Sequence, residues 1–254
     1  GPGNWSSLES GWGECSMGRQ QSPIDMELDI RRDRSLHMLR WDGPSEPYEA
    51  LLVGPLYANA LTLTNLKGHM TVSGLKMDLR NMTIHTPSEH KVAGYRYHGE
   101  LEFTHQASVG SDHVGLVVSA FLSLGDTTSP FLRTTLNAIR GFAYTYNPHA
   151  VNGLSYDPPI YQSDIKPPVW FSTQEAATGV LGQGSNYANY MAYAGSLTSP
   201  PCSEGVTRIV LRQPLSISAQ DYAIIASLQG HTARPSQQQD GRAIYEALSH
   251  PQGA

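Results

Sequence analysis

The side chains best suited to chemistry fall in two stretches of this 254-residue chain, His85-Thr86-Pro87-Ser88-Glu89-His90 and Gly99-Glu100-Leu101-Glu102-Phe103-Thr104-His105. Imidazoles and carboxylates are the groups that ligate metals and move protons near neutral pH. His85, Glu102 and a third group could hold a metal ion. Glu102 and His69 could do acid–base work without one. The plainer reading makes His85, His90 and His105 hydrogen-bonded histidines of a core and leaves His69 as an exposed strand residue. The sequence offers no Ser-His-Asp or Cys-His set of the kind a hydrolase uses.

These stretches must be positioned by short elements. Residues 60–66 and 69–75 alternate apolar and polar side chains, and 79–85, 99–105, 116–124 and 207–211 are further β-rich runs. Two helices are predicted. One covers 129–139, with Pro130 suited to its first turn; the other covers 218–228, with Ser218 as its N-cap. The stretch up to Ser22 is rich in Gly and Trp and reads as irregular. From Gly230 the chain is polar and would wander unless docked on the body. Hydrophobic residues make up 39% and charged residues 15%, with 24 Gly and 17 Pro, a balance that favours many strands joined by turns. The expectation is one β-dominated (α+β) domain spanning 1–254. Within it, 1–3 reads as the remnant of a removed tag and 245–254 as a flexible tail.

Net charge is −5, so nothing builds the basic stripe that nucleic acid requires, and a sulfated glycan is disfavoured as well. No run of about 18 apolar residues is present to span a bilayer. No signal segment is read. The two cysteines, Cys15 and Cys202, are either independent thiols or one bridge closing almost the whole chain. Two sequons occur, Asn4-Trp5-Ser6 and Asn81-Met82-Thr83, and the second lies inside a predicted strand.

Five stretches, in order, resemble the α-class carbonic anhydrases. They are Gln20-Gln21-Ser22-Pro23-Ile24-Asp25, the two stretches named above, Tyr193-Ala194-Gly195-Ser196-Leu197-Thr198-Ser199-Pro200-Pro201-Cys202, and the ending Ala233-Arg234-Pro235 to Gly241-Arg242. The resemblance covers essentially the whole chain. It implies a large, twisted, mostly antiparallel sheet of about ten strands with peripheral helices and a conical cleft. It also implies that Cys15 and Cys202 form a disulfide, and with it an extracellular or luminal location.

The same resemblance implies a zinc ion on three imidazoles, two of them at alternate positions of one strand and the third on its neighbour. Here the first pair is Thr83 and His85, and the neighbour offers Glu102. Only His85 keeps the ligand type. A threonine hydroxyl is a poor zinc ligand, so zinc is expected to be absent and no cofactor is expected. Where the family usually carries a tryptophan this chain has Arg208, which is expected to reach Glu102 as its counter-charge. Thr198, Glu89 and His69 match the groups that orient metal hydroxide and shuttle its proton, and are expected to be vestigial. Glu89 and Thr198 are expected to share a hydrogen bond. Glu100 and Asn81 are read as supports of the ligand positions, with the partner of Glu100 left open.

The leading functional expectation is a catalytically inactive domain that recognises a protein or glycan partner outside the cell or at its surface. The Tyr- and Asn-containing segment 184–190 is a candidate contact loop. The alternatives are a metalloenzyme with a rearranged site and a structural or storage protein.

Overall fold

The computed structural model describes residues 2–26, 30–33, 36, 39–54, 60–109, 112–146, 168–182 and 189–247. Fifteen strands are present among them. In chain order they are β1 (Asp25–Met26), β2 (Arg31–Arg32), β3 (Arg40–Asp42), β4 (Tyr48–Val53), β5 (Leu61–Thr64), β6 (His69–Val72), β7 (Leu75–His85) and β8 (Lys91–Val92). There follow β9 (Tyr95–Arg96), β10 (Gly99–Val109), β11 (Asp112–Gly125), β12 (Pro168–Phe171), β13 (Tyr190–Ser196), β14 (Glu204–Ser218) and β15 (Tyr245–Ala247). Four α-helices accompany them: α1 (Glu14–Met17), α2 (Pro130–Tyr146), α3 (Thr173–Leu181) and α4 (Ala219–Gln229).

One large sheet dominates, in the order β12-β4-β5-β7-β10-β11-β14-β13-β15-β2, with β6 against the first half of β7 and β3 against β6. Pairing is antiparallel except between β11 and β14 and between β15 and β2. A small second sheet, β1-β8-β9, sits apart.

Alternation along the central strands divides the side chains between two faces. On β10, Leu101 and Phe103 enter the main core, and so do Met82 and Ile84 on β7. That core is completed by Phe131, Leu132, Leu136 and Ile139 of α2 and by residues of α3 and α4. Glu100, Glu102 and Thr104 occupy the other face of β10.

A bulge decides which residues of β7 join them. The register with β10 pairs Thr104 with Asn81 but His105 with Leu79, so Arg80 is the extra residue. Met77 and Leu79 therefore face the main core, while Asn81, Thr83 and His85, of the same odd parity, border a cavity on the opposite face. Without that insertion one strand could not serve both faces in this way.

Several boundaries differ from the sequence reading. The helix read over 129–139 continues to Tyr146. The chain from Gly230 is docked, not wandering. Ile24 bridges Gln237, and β15 pairs with β13 over Tyr245–Ala247, where a flexible tail was expected. Residues 248–254 lie outside the described residues. The reading missed α3 altogether, although Ser172 accepts a hydrogen bond from the Glu175 backbone N–H in a clear N-cap.

Two devices hold the chain ends to the body. Cys15 and Cys202 are disulfide-bonded, with Cα atoms 5.1 Å apart across a sequence separation of 187. Beside them the buried Arg234 donates from Nη1 to Gln21 Oε1 at 2.9 Å and Ser22 O at 2.7 Å, and from Nη2 to Cys15 O at 2.7 Å. Its guanidinium also lies over the Trp5 ring, 5.6 Å from the centroid. Among the described residues no helix is long and apolar enough to cross a membrane.

Candidate functional site

The cleft floor is laid by three neighbouring strands. Pairing sets Glu102 opposite Thr83 and Glu100 opposite His85, and β11 sets Ser119 opposite Glu102. Arg208, on β14, donates from Nη2 to Ser119 Oγ at 3.4 Å. Its Nη2 donates to Glu102 Oε1, and the guanidinium is 0% exposed. The Thr198 hydroxyl donates to the other Glu102 oxygen at 3.4 Å. Thr83 is engaged elsewhere, its hydroxyl 3.2 Å from that of Thr62.

His85 hangs between two acids. Its Nε2 is 3.9 Å from Glu102 Oε2, and its Nδ1 is 3.7 Å from Glu89 Oε1 and 3.4 Å from Thr232 Oγ1. Burial pushes the imidazole below its ordinary pKa, and the Glu102 and Glu100 carboxylates oppose this only in part. His85, Glu89 and Glu102 bring ligand-capable atoms within 4.8 Å of one another. One imidazole and two carboxylates thus stand where a three-imidazole set would be needed.

Glu89 accepts the Arg234 backbone N–H on Oε1 at 3.1 Å, while its Oε2 is buried without a hydrogen bond of ordinary geometry to a described residue. The Thr198 hydroxyl, expected from sequence to bond Glu89, donates to Glu102 at 3.4 Å and also acts on Glu89 as a hydrogen-bonding neighbour. Burial raises the Glu89 pKa well above the usual carboxylate range, the nearby Glu102 and Glu100 charges add to the rise, and Thr198 lowers it only in part. For Arg208, burial works against the charge, but Glu102, Tyr193 and Glu100 more than offset it, so the guanidinium holds its proton more firmly than usual. Its Nε and Nη1 have no hydrogen bond to a described residue.

Two residues before Glu102 the picture changes. Glu100 takes the His90 backbone N–H on Oε2 at 2.9 Å and faces His90 Nδ1 from Oε1 at 2.7 Å. The ring's Nε2 lies 2.7 Å from Tyr193 Oη, which donates to Ser22 Oγ at 2.9 Å. Ser22 and Ser196 then exchange two more hydrogen bonds, at 2.9 and 3.1 Å. Burial alone would raise the Glu100 pKa, yet the His90 charge and hydrogen bonds outweigh it and hold the carboxyl down to about 2. This relay was not seen in the sequence, where the partner of Glu100 stayed open.

The remaining expected site residues are scattered. His69 pairs with Asp42 at 3.7 Å and does not border the cavity. His105 is fully buried against the Phe103 carbonyl, and burial pulls its pKa down to about 3. Asn4 is exposed, whereas Asn81 borders the cleft. Of the segment 184–190, residues 184–188 lie outside the described residues.

Comparison with known proteins gives one family throughout. Dioscorin dioA3 of Dioscorea japonica is 26% identical over 253 residues, covering 96% of this chain and 82% of that protein. Alpha carbonic anhydrase 4 of Arabidopsis thaliana is 27% identical over 249 residues, covering 96% and 81%. Among solved structures, dioscorin complexed with ascorbate shares the fold with a TM-score of 0.78 at 24% identity, over 98% of this chain and 95% of that one. The family model described as eukaryotic-type carbonic anhydrase matches residues 1–247. With the fold, the cleft and this match in agreement, the chain belongs to the eukaryotic-type carbonic anhydrase family, as a member that has lost the three-histidine metal set.

Proposed function

We propose that this protein is a non-catalytic body on the carbonic anhydrase fold, serving a structural or storage role outside the cell or at its surface. The observation that carries the non-catalytic reading is the buried Arg208–Glu102 pair. Family membership implies a zinc ion, and the residues present do not fit one. Zinc catalysis of this type needs three strong ligands and one open position. Here one imidazole remains, Thr83 is bonded to Thr62, and Glu102 is already neutralised by a fixed cation. A dication on Glu102 would sit beside a guanidinium that cannot lose its charge. The same guanidinium lies buried in the cleft floor, where the family usually carries an aromatic side chain.

The structural or storage reading draws support from two further observations. The relatives include dioscorins as well as proteins named carbonic anhydrases. The exposed large hydrophobics among the described residues, Leu8, Met17, Tyr95, Leu124, Trp170 and Tyr245, lie on separate segments and form no single-element stripe. The disulfide accords with an oxidising compartment. Recognition of a protein or glycan is a second reading, favoured by the polar side chains left unbonded in the cleft.

The deciding experiment measures metal content and CO2 hydration after incubation with zinc and exhaustive dialysis. The expected result is near zero zinc per chain and no hydration above buffer. Close to one zinc per chain, lost on His85→Ala, would overturn the non-catalytic reading. Abundance in the source tissue separates the two roles: a storage body forms a major part of soluble protein, and a recognition domain a trace.

A further inference from the structure

The cleft is more polar than a site for a small apolar gas requires. Its cavity measures about 230 Å³, and ten of the twelve residues around it are polar. That is below the ~300–1,000 Å³ typical of drug-sized sites, a size for one small molecule. Three of these side chains, Asn81, Thr104 and Ser199, border the cavity without a hydrogen bond to any described residue. Each can both donate and accept. Glu89 borders the same cavity, its Oε2 buried and without a hydrogen bond of ordinary geometry to a described residue. Trp5 supplies an apolar wall.

We infer that this cleft binds one small, neutral, polyhydroxylated molecule, a polyol or a single sugar ring, through Asn81, Thr104, Ser199 and Glu89. Hydroxyl groups match side chains that donate and accept at once, and C–H faces of a polyol suit the Trp5 wall. An anion would meet two carboxyl groups on the cavity wall, Glu89 and Glu102, while the nearby guanidinium groups of Arg208 and Arg234 are committed to Glu102 and to Gln21, Ser22 and Cys15 and do not border the cavity. The assignment goes beyond the structural or storage role and does not depend on it.

The test is a charge series on one six-carbon skeleton, titrated by ligand-observed NMR: sorbitol, gluconate and glucamine. Sorbitol is expected to bind with a Kd on the order of 1 mM, and gluconate about tenfold more weakly. Methyl maltoside in parallel distinguishes a free polyol from the terminal unit of a glycan, and binding of either supports the site. Asn81→Ala and Thr104→Val are each expected to weaken binding by about three- to tenfold. Because neither side chain has an internal hydrogen bond, their melting temperatures should stay close to that of the unaltered chain. No saturable binding of sorbitol or the glycoside would overturn the assignment. So would tighter binding of gluconate or glucamine, or binding indifferent to both substitutions.

Discussion

Glu100 and Glu102 stand two residues apart on β10, on the same face, and both are buried. Their surroundings differ sharply. Glu100 ends a chain of hydrogen bonds through His90, Tyr193, Ser22 and Ser196 in which every member is bonded. Glu102 meets a guanidinium with two unbonded nitrogens, a hydroxyl at 3.4 Å and an imidazole at 3.9 Å. The first region is a finished polar network and the second a charge repair. A finished network fixes the sheet whatever the cleft does, whereas a repair holds only while both charges are present.

The largest effect should come from breaking the repair. Arg208→Met strands Glu102 without its counter-charge and should cost about 3–5 kcal/mol in urea denaturation. Adding Glu102→Met should recover most of that loss, because the pair is removed together. A single-variant cost below about 1 kcal/mol would erase the contrast. Next, His90→Ala removes the partner of a buried carboxylate, at a cost of about 1.5–3 kcal/mol, and Tyr193→Phe, which cuts only one link, should cost about 1 kcal/mol.

Acidity sharpens the comparison through opposite signs. Glu100 is held near 2 against an ordinary 4.5, so its stabilisation is present above pH 4.5 and drains away as pH falls toward 2. Glu89, on the repaired side, is raised, so its contribution is full at acid pH and is lost as pH climbs through its elevated pKa. Denaturation midpoints across pH should therefore show Glu100→Gln flattening the acid limb and Glu89→Gln the alkaline one. Both substitutions acting on the same limb would break the distinction. The smallest effect is expected from Thr198→Val, about 0.5 kcal/mol or less, because its bond to Glu102 is long.

Much of the frame is legible in the sequence alone. Alternation exposed the runs that became β5 and β6, β-rich composition those that became β7, β10 and β11, and the Ser218 cap marked the start of α4. The capping box Ser172-Thr173-Gln174-Glu175 was equally present and would have announced α3. The β7 bulge also left a trace: apolar residues fall at 75, 77 and 79, then at 82 and 84. In the site, the family resemblance made Thr83, His85, Glu102 and the Arg208 counter-charge accessible, because motif order fixes which positions of neighbouring strands share the cleft face. What depends on distant chain segments meeting was not. His90 reaches Glu100 only because the small β8–β9 hairpin returns the chain to the start of β10. Arg234 sits in a polar, Gln-rich stretch that gives no hint of burial until the N-terminal segment folds over it.

The Arg208–Glu102 pair has a consequence for the routes open to this sequence. Restoring histidine at 102 alone would abandon a buried guanidinium, and replacing Arg208 alone would abandon a buried carboxylate. Each first step back toward a metal enzyme passes through a destabilised chain, and the benefit comes only after several changes together. The salt bridge therefore works as a ratchet in sequence space: neither position can change alone toward a zinc site without stranding a buried charge.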